Sequence, residues 1–221
     1  FTTSSLQQDA SNKLNFSTKK TMQIAQQLYE GVEIKGKGTV GLVSYIRTDS
    51  VRISDEAKAA AKGYIAANFG ENYVGNNFYS NKKKEVQDAH EAIRPSYVEL
   101  APELIKASLS KDQYNLYKLI WNRFLASQMK PAVYMGMAVG IKNQNYLFKA
   151  NGSKLLFDGF LKVYSPAKDE EDKELPLLEK GEVLIADDVK GEQSFTQPPP
   201  RFTEASLVKD LEEENIGRPS T

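Results

Sequence analysis

The side chains best placed to do chemistry lie in Thr39-Val40-Gly41-Leu42-Val43-Ser44-Tyr45-Ile46-Arg47-Thr48-Asp49-Ser50, where a short apolar run delivers one tyrosine beside one arginine and several hydroxyls. A tyrosine at the end of a strand can act as a nucleophile. The same residues also suit an ordinary strand, with a half-buried tyrosine whose hydroxyl reaches a polar edge. The only histidine stands in Asp88-Ala89-His90-Glu91-Ala92-Ile93-Arg94-Pro95-Ser96. His90-Glu91 opens like a zinc-protease helix, but Arg94 occupies the position of the second histidine, which excludes that enzyme. A histidine near an arginine can donate to a phosphate or shuttle a proton, and a histidine satisfied within the fold is the plainer alternative.

The elements that must hold these residues follow from periodicity and caps. Leu6, Ala10 and Leu14 recur four apart and predict a short helix, broken at Asn15-Phe16-Ser17. A second helix from Ser17 or Thr18 to Gly31 carries Met22, Ala25, Leu28 and Tyr29 on one face, so the pair forms a helical hairpin of helix-turn-helix kind. Lys19 and Lys20 in its first turn oppose the macrodipole, a mismatch that an anion would relieve and that two solvated lysines would also tolerate. Gly31–Gly38 predicts a turn into a Thr39–Ile46 strand. Ser54 with Asp55 and Glu56 begins a helix whose small face is Ala57, Ala60, Ala61, Tyr64 and Ile65. Phe78 and Tyr79 before Lys82-Lys83-Lys84 would suit a single strand of nucleic acid, or a solvated loop. Ser110-Lys111-Asp112-Gln113 is a capping box that opens a long helix with a core face of Tyr114, Tyr117, Trp121, Phe124, Leu125 and Met129.

After Pro131 the pattern turns to strands: Ala132–Ile141, Tyr146–Ala150, Leu155–Tyr164 and Val183–Val189, with an acidic loop at Lys168–Glu174. Gln197-Pro198-Pro199-Pro200 predicts a stiff connector, and Thr203 caps a final helix bearing Leu207, Val208 and Leu211.

The chain has 221 residues, 40% of them hydrophobic and 26% charged, which is a globular composition. No apolar run approaches the ~20 residues that span a bilayer. There is no cysteine, hence no disulfide framework and no thiolate chemistry, which fits a reducing compartment and a cytoplasmic location. Net charge is zero but unevenly spread: residues 1–130 carry 18 Lys and Arg against 13 Asp and Glu, and residues 131–196 carry 8 against 11. That permits polyanion binding without the strong affinity of a very basic protein. Phe1 at the start and Arg218-Pro219-Ser220-Thr221 at the end read as cut edges of something longer.

Three ordered blocks, Gly41–Ser50, Ala89–Pro95, and Phe202-Thr203-Glu204-Ala205-Ser206-Leu207-Val208 followed by Ile216–Thr221, closely resemble bacterial type IA DNA topoisomerase. Phe1–Gln8 and Ala25–Gly31 fit the same family. Ile46-Arg47 after the tyrosine resembles the main relaxing enzyme more than its decatenating relative. The resemblance implies an α+β multidomain fragment: a mainly helical, helix-turn-helix-like gate domain at 1–130, part of a β-rich arch at 131–196, and the start of a basal helical domain at 197–221. It implies that Tyr45 attacks a backbone phosphate of single-stranded DNA and that Arg47 offsets charge on the non-bridging oxygens. His90 and Arg94 would line the site and contact the DNA backbone near the scissile phosphate, and Arg201, Thr203 and Arg218 would belong to the DNA-binding wall. The intact enzyme would be a monomer that uses no ATP and takes Mg2+ from carboxylates of an N-terminal toprim domain, none of them in these residues, so the fragment alone is expected to cleave no DNA. The competing expectation is a non-catalytic, single-strand-binding helix-turn-helix module.

Overall fold

The computed structural model describes residues 1–77, 79, 90–165, 174–214 and 216. These comprise α1 (Thr3–Leu14), α2 (Thr18–Glu30), β1 (Val32–Ile34), β2 (Gly38–Val40), α3 (Asp55–Phe69), α4 (Pro102–Ile105), α5 (Lys111–Ser127), β3 (Val133–Asn143), β4 (Tyr146–Phe157) and α6 (Glu204–Glu213). The fold is a mixed helical and β architecture. It divides into two units: Phe1–Ala132 with Asp158–Asp169 and Phe202–Thr221, and Val133–Phe157 with Glu170–Arg201. This grouping by packing is discontinuous in sequence, whereas the three domains expected above are consecutive.

The first unit is built on α5. Its capping box pairs Ser110 with Gln113, and the helix buries Leu116, Tyr117, Leu119, Ile120, Trp121, Phe124, Leu125 and Ala126. Burial this broad marks the central helix of a bundle, since a surface helix hides only one stripe. Tyr114, expected in that core, is half-buried and donates to Glu103 instead. α1 and α2 pack on each other and on α5, joined by Asn15 in the left-handed conformation (φ 55°) and the buried Phe16. The inward stripe of α2 is Thr21, Ile24, Ala25 and Leu28, so Tyr29 is turned outward, 39% exposed. In α3 the buried positions are Ala57, Ala61 and Ile65, while Ala60 faces solvent.

At the N-terminus of α2 the choice left open between an anion and two solvated lysines is answered, for Lys20, from within the chain. Lys20 is paired with Asp112 of α5 at 2.7 Å and lies 4.1 Å from the centre of the Phe16 ring. The free Thr18 N–H donates to the Glu204 carboxylate of α6 at 2.8 Å. Two carboxylates of the chain itself thus supply the negative charge that a helix N-terminus favours.

The strand expected over Thr39–Ile46 is mostly absent. β1 and β2 make a three-residue hairpin, Val32↔Val40 to Ile34↔Gly38, and beyond it only an isolated bridge joins Val43 to Pro95. The segment stays extended because loops and side chains, not a neighbouring strand, satisfy its backbone.

The second unit is an antiparallel β3–β4 hairpin closed by Gln144-Asn145, with Gln144 at φ 50°. Tyr146–Phe157 is one strand through Asn151-Gly152-Ser153, where a break was expected. The expected continuation to Tyr164 is instead a 3₁₀ turn, Gly159–Lys162, in the first unit. Gly159 has φ 48°, and a Cβ there would lie 2.5 Å from the carbonyl oxygens of Lys130 and Pro131. Tyr164 is buried and donates to Asp9. The expected Val183–Val189 strand has no ladder partner among the described residues, and Val183, Ile185 and Val189 are 85–88% exposed. Period-two patterning marks a face but does not supply the neighbour that makes a strand.

Candidate active site

Gly41 seats the segment that carries Tyr45. Its Cα lies against the end of α2 so closely that a Cβ would stand 2.9 Å from the Tyr29 carbonyl oxygen. The next residue locks the contact, with Leu42 N–H donating to the Leu28 carbonyl at 2.8 Å. On its other side the segment is stitched to the 90–96 loop. Ser44 N–H donates to the Arg94 carbonyl at 2.9 Å, and Ser96 N–H to the Leu42 carbonyl at 2.9 Å. The Ser44 hydroxyl donates to the Ala92 carbonyl at 2.8 Å and accepts from Arg94 N–H at 2.9 Å.

Beyond Tyr45 a ladder of buried hydroxyls replaces the missing strand. Thr3 Oγ1 donates to the Ile46 carbonyl at 2.8 Å and accepts from Thr48 N–H at 2.9 Å. Ser50 N–H donates to Thr48 Oγ1 at 3.0 Å, and Arg52 N–H to Ser50 Oγ at 3.1 Å. Each bond meets a buried backbone group that would otherwise cost the full desolvation penalty. Ile46, Thr48 and Ser50 are buried, while Tyr45, Arg47 and Asp49 are exposed, with the chain bending at Ile46 and Arg47. The hydroxyls in this motif therefore build the support, and the tyrosine and arginine are left exposed.

The ring of Tyr45, 38% exposed, stacks on His90 with centroids 4.8 Å apart and planes at 29°. The edge of Tyr29 meets it at 5.7 Å and 73°. Offset-stacked and edge-to-face geometries are those that aromatic quadrupoles favour. Residues 29, 45 and 90 thus form one exposed aromatic cluster, which the sequence spacing had not linked.

Arg94 is in the same loop, but its guanidinium is turned into the protein. Nε and one terminal nitrogen donate to Glu91 Oε2 at 2.9 and 2.5 Å, and the other terminal nitrogen donates to the Pro95 carbonyl at 3.0 Å. Burial acts to raise the Glu91 carboxyl's pKa. The Arg94 bonds and charge, with donors from the Ser54 hydroxyl and backbone N–H, outweigh it and hold the group below its ordinary value. α5 fixes the far end of the loop: Trp121 Nε1 donates to the Val98 carbonyl at 3.0 Å and Tyr117 Oη to the Leu100 carbonyl at 2.7 Å.

Thr203 caps α6, sharing a capping box with Ser206. Arg201 is exposed and precedes that helix. Arg218, Lys82-Lys83-Lys84 and residues 168–173 of the acidic run lie outside the described residues. Among the described residues no group of three His, Cys, Asp or Glu side chains could hold a metal ion. Thr3, Tyr29, Ser54 and Glu91 escaped the sequence reading of the site. Only Glu91 carried a local signal, three residues before an arginine.

Two comparisons bear on this arrangement. A sequence family described as DNA topoisomerase matches residues 1–221. The structure of full-length topoisomerase I from Thermotoga maritima, in a monoclinic crystal form, superposes with a TM-score of 0.83 at 45% sequence identity over 100% of this chain. The chain belongs to the DNA topoisomerase family. Within it, the chain is a bacterial type IA topoisomerase domain, and it spans 36% of the length of the Thermotoga maritima protein.

Proposed function

We propose that residues 1–221 carry the nucleophile of an ATP-independent type IA topoisomerase that relaxes negatively supercoiled DNA. Tyr45 Oη attacks the phosphorus of a backbone phosphate in a single-stranded segment. The Oη–P bond forms, the P–O3′ bond breaks, and the phenolic proton is given up as O3′ becomes a hydroxyl. The downstream strand is then held as a 5′-phosphotyrosyl ester while another strand passes. A phenol with an ordinary pKa of ~10 is a better leaving group than an alkoxide, so the 3′-hydroxyl can reverse the step and reseal the strand with no external energy.

The single observation that supports this best is the exposure of both Tyr45 and Arg47, with His90 stacked on the tyrosine ring. A guanidinium there suits the non-bridging oxygens, whose charge grows in the transition state. His90 and Arg94 belong to this site, and Arg201, Thr203 and Arg218 are assigned to the path of the strand. The Mg2+ that the family reading brings has no fitting ligand set among the described residues.

Tyr45→Phe in the intact protein tests the reading. A 3′-end-labelled single strand should no longer become attached to protein, and relaxation should stop. Relaxation at the wild-type rate would refute it.

A further inference from the structure

We propose that Glu91 and Arg94 act as a positioning pair that holds the His90 loop against the Tyr45 segment, so that Arg94 serves the site from behind and makes no contact with DNA phosphate. The inference rests on Tyr45 and His90 forming the site described above.

All three guanidinium nitrogens of Arg94 have partners inside the loop: two meet Glu91 Oε2 at 2.9 and 2.5 Å, and the third meets the Pro95 carbonyl at 3.0 Å. Only 16% of the Arg94 side chain and 19% of the Glu91 side chain is exposed. The Glu91 carboxylate also takes the hydroxyl and backbone N–H of Ser54, the N-cap of α3. On the opposite side, the backbone of Arg94 is bound at both its N–H and its carbonyl by Ser44, next to Tyr45. The pair therefore ties together the start of α3, the loop bearing His90, and the segment bearing the nucleophile.

A phosphate could engage this arginine only by displacing a carboxylate that is already bonded to it in a largely desolvated setting. Doing so would leave a mostly enclosed Glu91 carboxylate with the Ser54 donors but without its cation, which is the costly outcome for an ion pair of this kind. Arg47, two residues beyond Tyr45, is exposed and has no ion-pair partner among the described residues. The consequence of losing either member of the pair is the same: the loop relaxes, and the stacked His90 and Tyr45 lose their mutual placement. Misplacement by about 1 Å can cost on the order of 100-fold in a positioned reaction.

The test uses the intact protein with Glu91→Gln, Arg94→Gln and the double variant. Covalent attachment of a 3′-labelled single strand is measured at saturating DNA, DNA affinity is measured as a function of salt, and melting is followed alongside. Each single variant should slow attachment roughly 10- to 100-fold. The salt slope should stay at its wild-type value, and the double variant should be no slower than the worse single, as for residues acting as one unit. A salt slope reduced by about one phosphate contact in Arg94→Gln would overturn the proposal, because that is the signature of a DNA ligand. So would a Glu91→Gln protein that melts lower yet attaches DNA at the wild-type rate, which would make the pair merely structural. If Arg94→Gln does not fold, Arg94→Lys keeps the charge without the fork and should show the same slow attachment. Because the salt slope does not depend on the covalent step, failure here is separable from failure of Tyr45→Phe.

Discussion

Replacing Gly41 by alanine probes how the segment that carries Tyr45 is seated. Gly41 does not occupy the left-handed region, so the substitution acts through space alone. The new Cβ would stand 2.9 Å from the Tyr29 carbonyl oxygen, a backbone atom with no rotamer by which to move aside. Restoring ordinary contact, at ~3.4 Å or more, means separating the segment from the end of α2 by about half an ångström, and the Leu42-to-Leu28 hydrogen bond of 2.8 Å stretches with it. Overpacking of this kind costs about 1–3 kcal/mol, and weakening the bond adds up to ~1 kcal/mol. The stiffer unfolded chain returns about 0.4–1 kcal/mol. The net destabilisation is about 2 kcal/mol, or roughly 4–8 °C in melting temperature for a protein of this size. Gly63→Ala is the control, since it lies exposed in α3 with nothing within 4 Å of its Cβ. It should raise stability by about 0.5–1 kcal/mol through helix propensity. Thermal denaturation of the two variants side by side decides the matter. A Gly41→Ala protein as stable as the wild type would refute the claim that backbone contact with α2 seats Tyr45.

Ser44→Ala removes the hydroxyl that joins the Ala92 carbonyl and the Arg94 N–H, and should cost about 1–3 kcal/mol, with faster hydrogen exchange at the Arg94 amide. Unchanged exchange there would show that the hydroxyl is not what holds the loop. Glu91, with a folded pKa below its unfolded one, contributes stability that is present above the ordinary glutamate range and is lost as pH falls through it and then through the lowered value. Wild type should therefore lose stability more steeply than Glu91→Gln in melts below about pH 4.5, and equal acid slopes would contradict the pairing with Arg94.

Local chemistry was legible wherever it was sufficient. Ser54, Ser110 and Thr203 cap helices as their spacing indicated, because a capping hydroxyl needs only its own next few residues. Tyr45 and Arg47 are both exposed, although the chain bends at Ile46 and Arg47 and does not run on as a strand. The expected strands fared worse. β3 and β4 found each other across a short turn, whereas Val183–Val189 has the same alternation and no partner, and pairing is not a property of one segment. Lys20 shows the same limit in charge: its neighbours in sequence suggested an anion, and the carboxylate that answers it, Asp112, lies on α5.

For this protein the sequence by itself determined which residues could do the chemistry and which ordered blocks place the chain in its family, since both are matters of residue type and order. Only the tertiary structure decided how those residues divide the work. Tyr45 and His90 stack across 45 positions of chain because Ser44 joins the two loops while Gly41 and the Thr3 ladder seat the first of them, and Arg94 is occupied by Glu91 and the Pro95 carbonyl. The physical reason is that residue type sets what a side chain can bond to, while the three-dimensional fold sets what is left within reach.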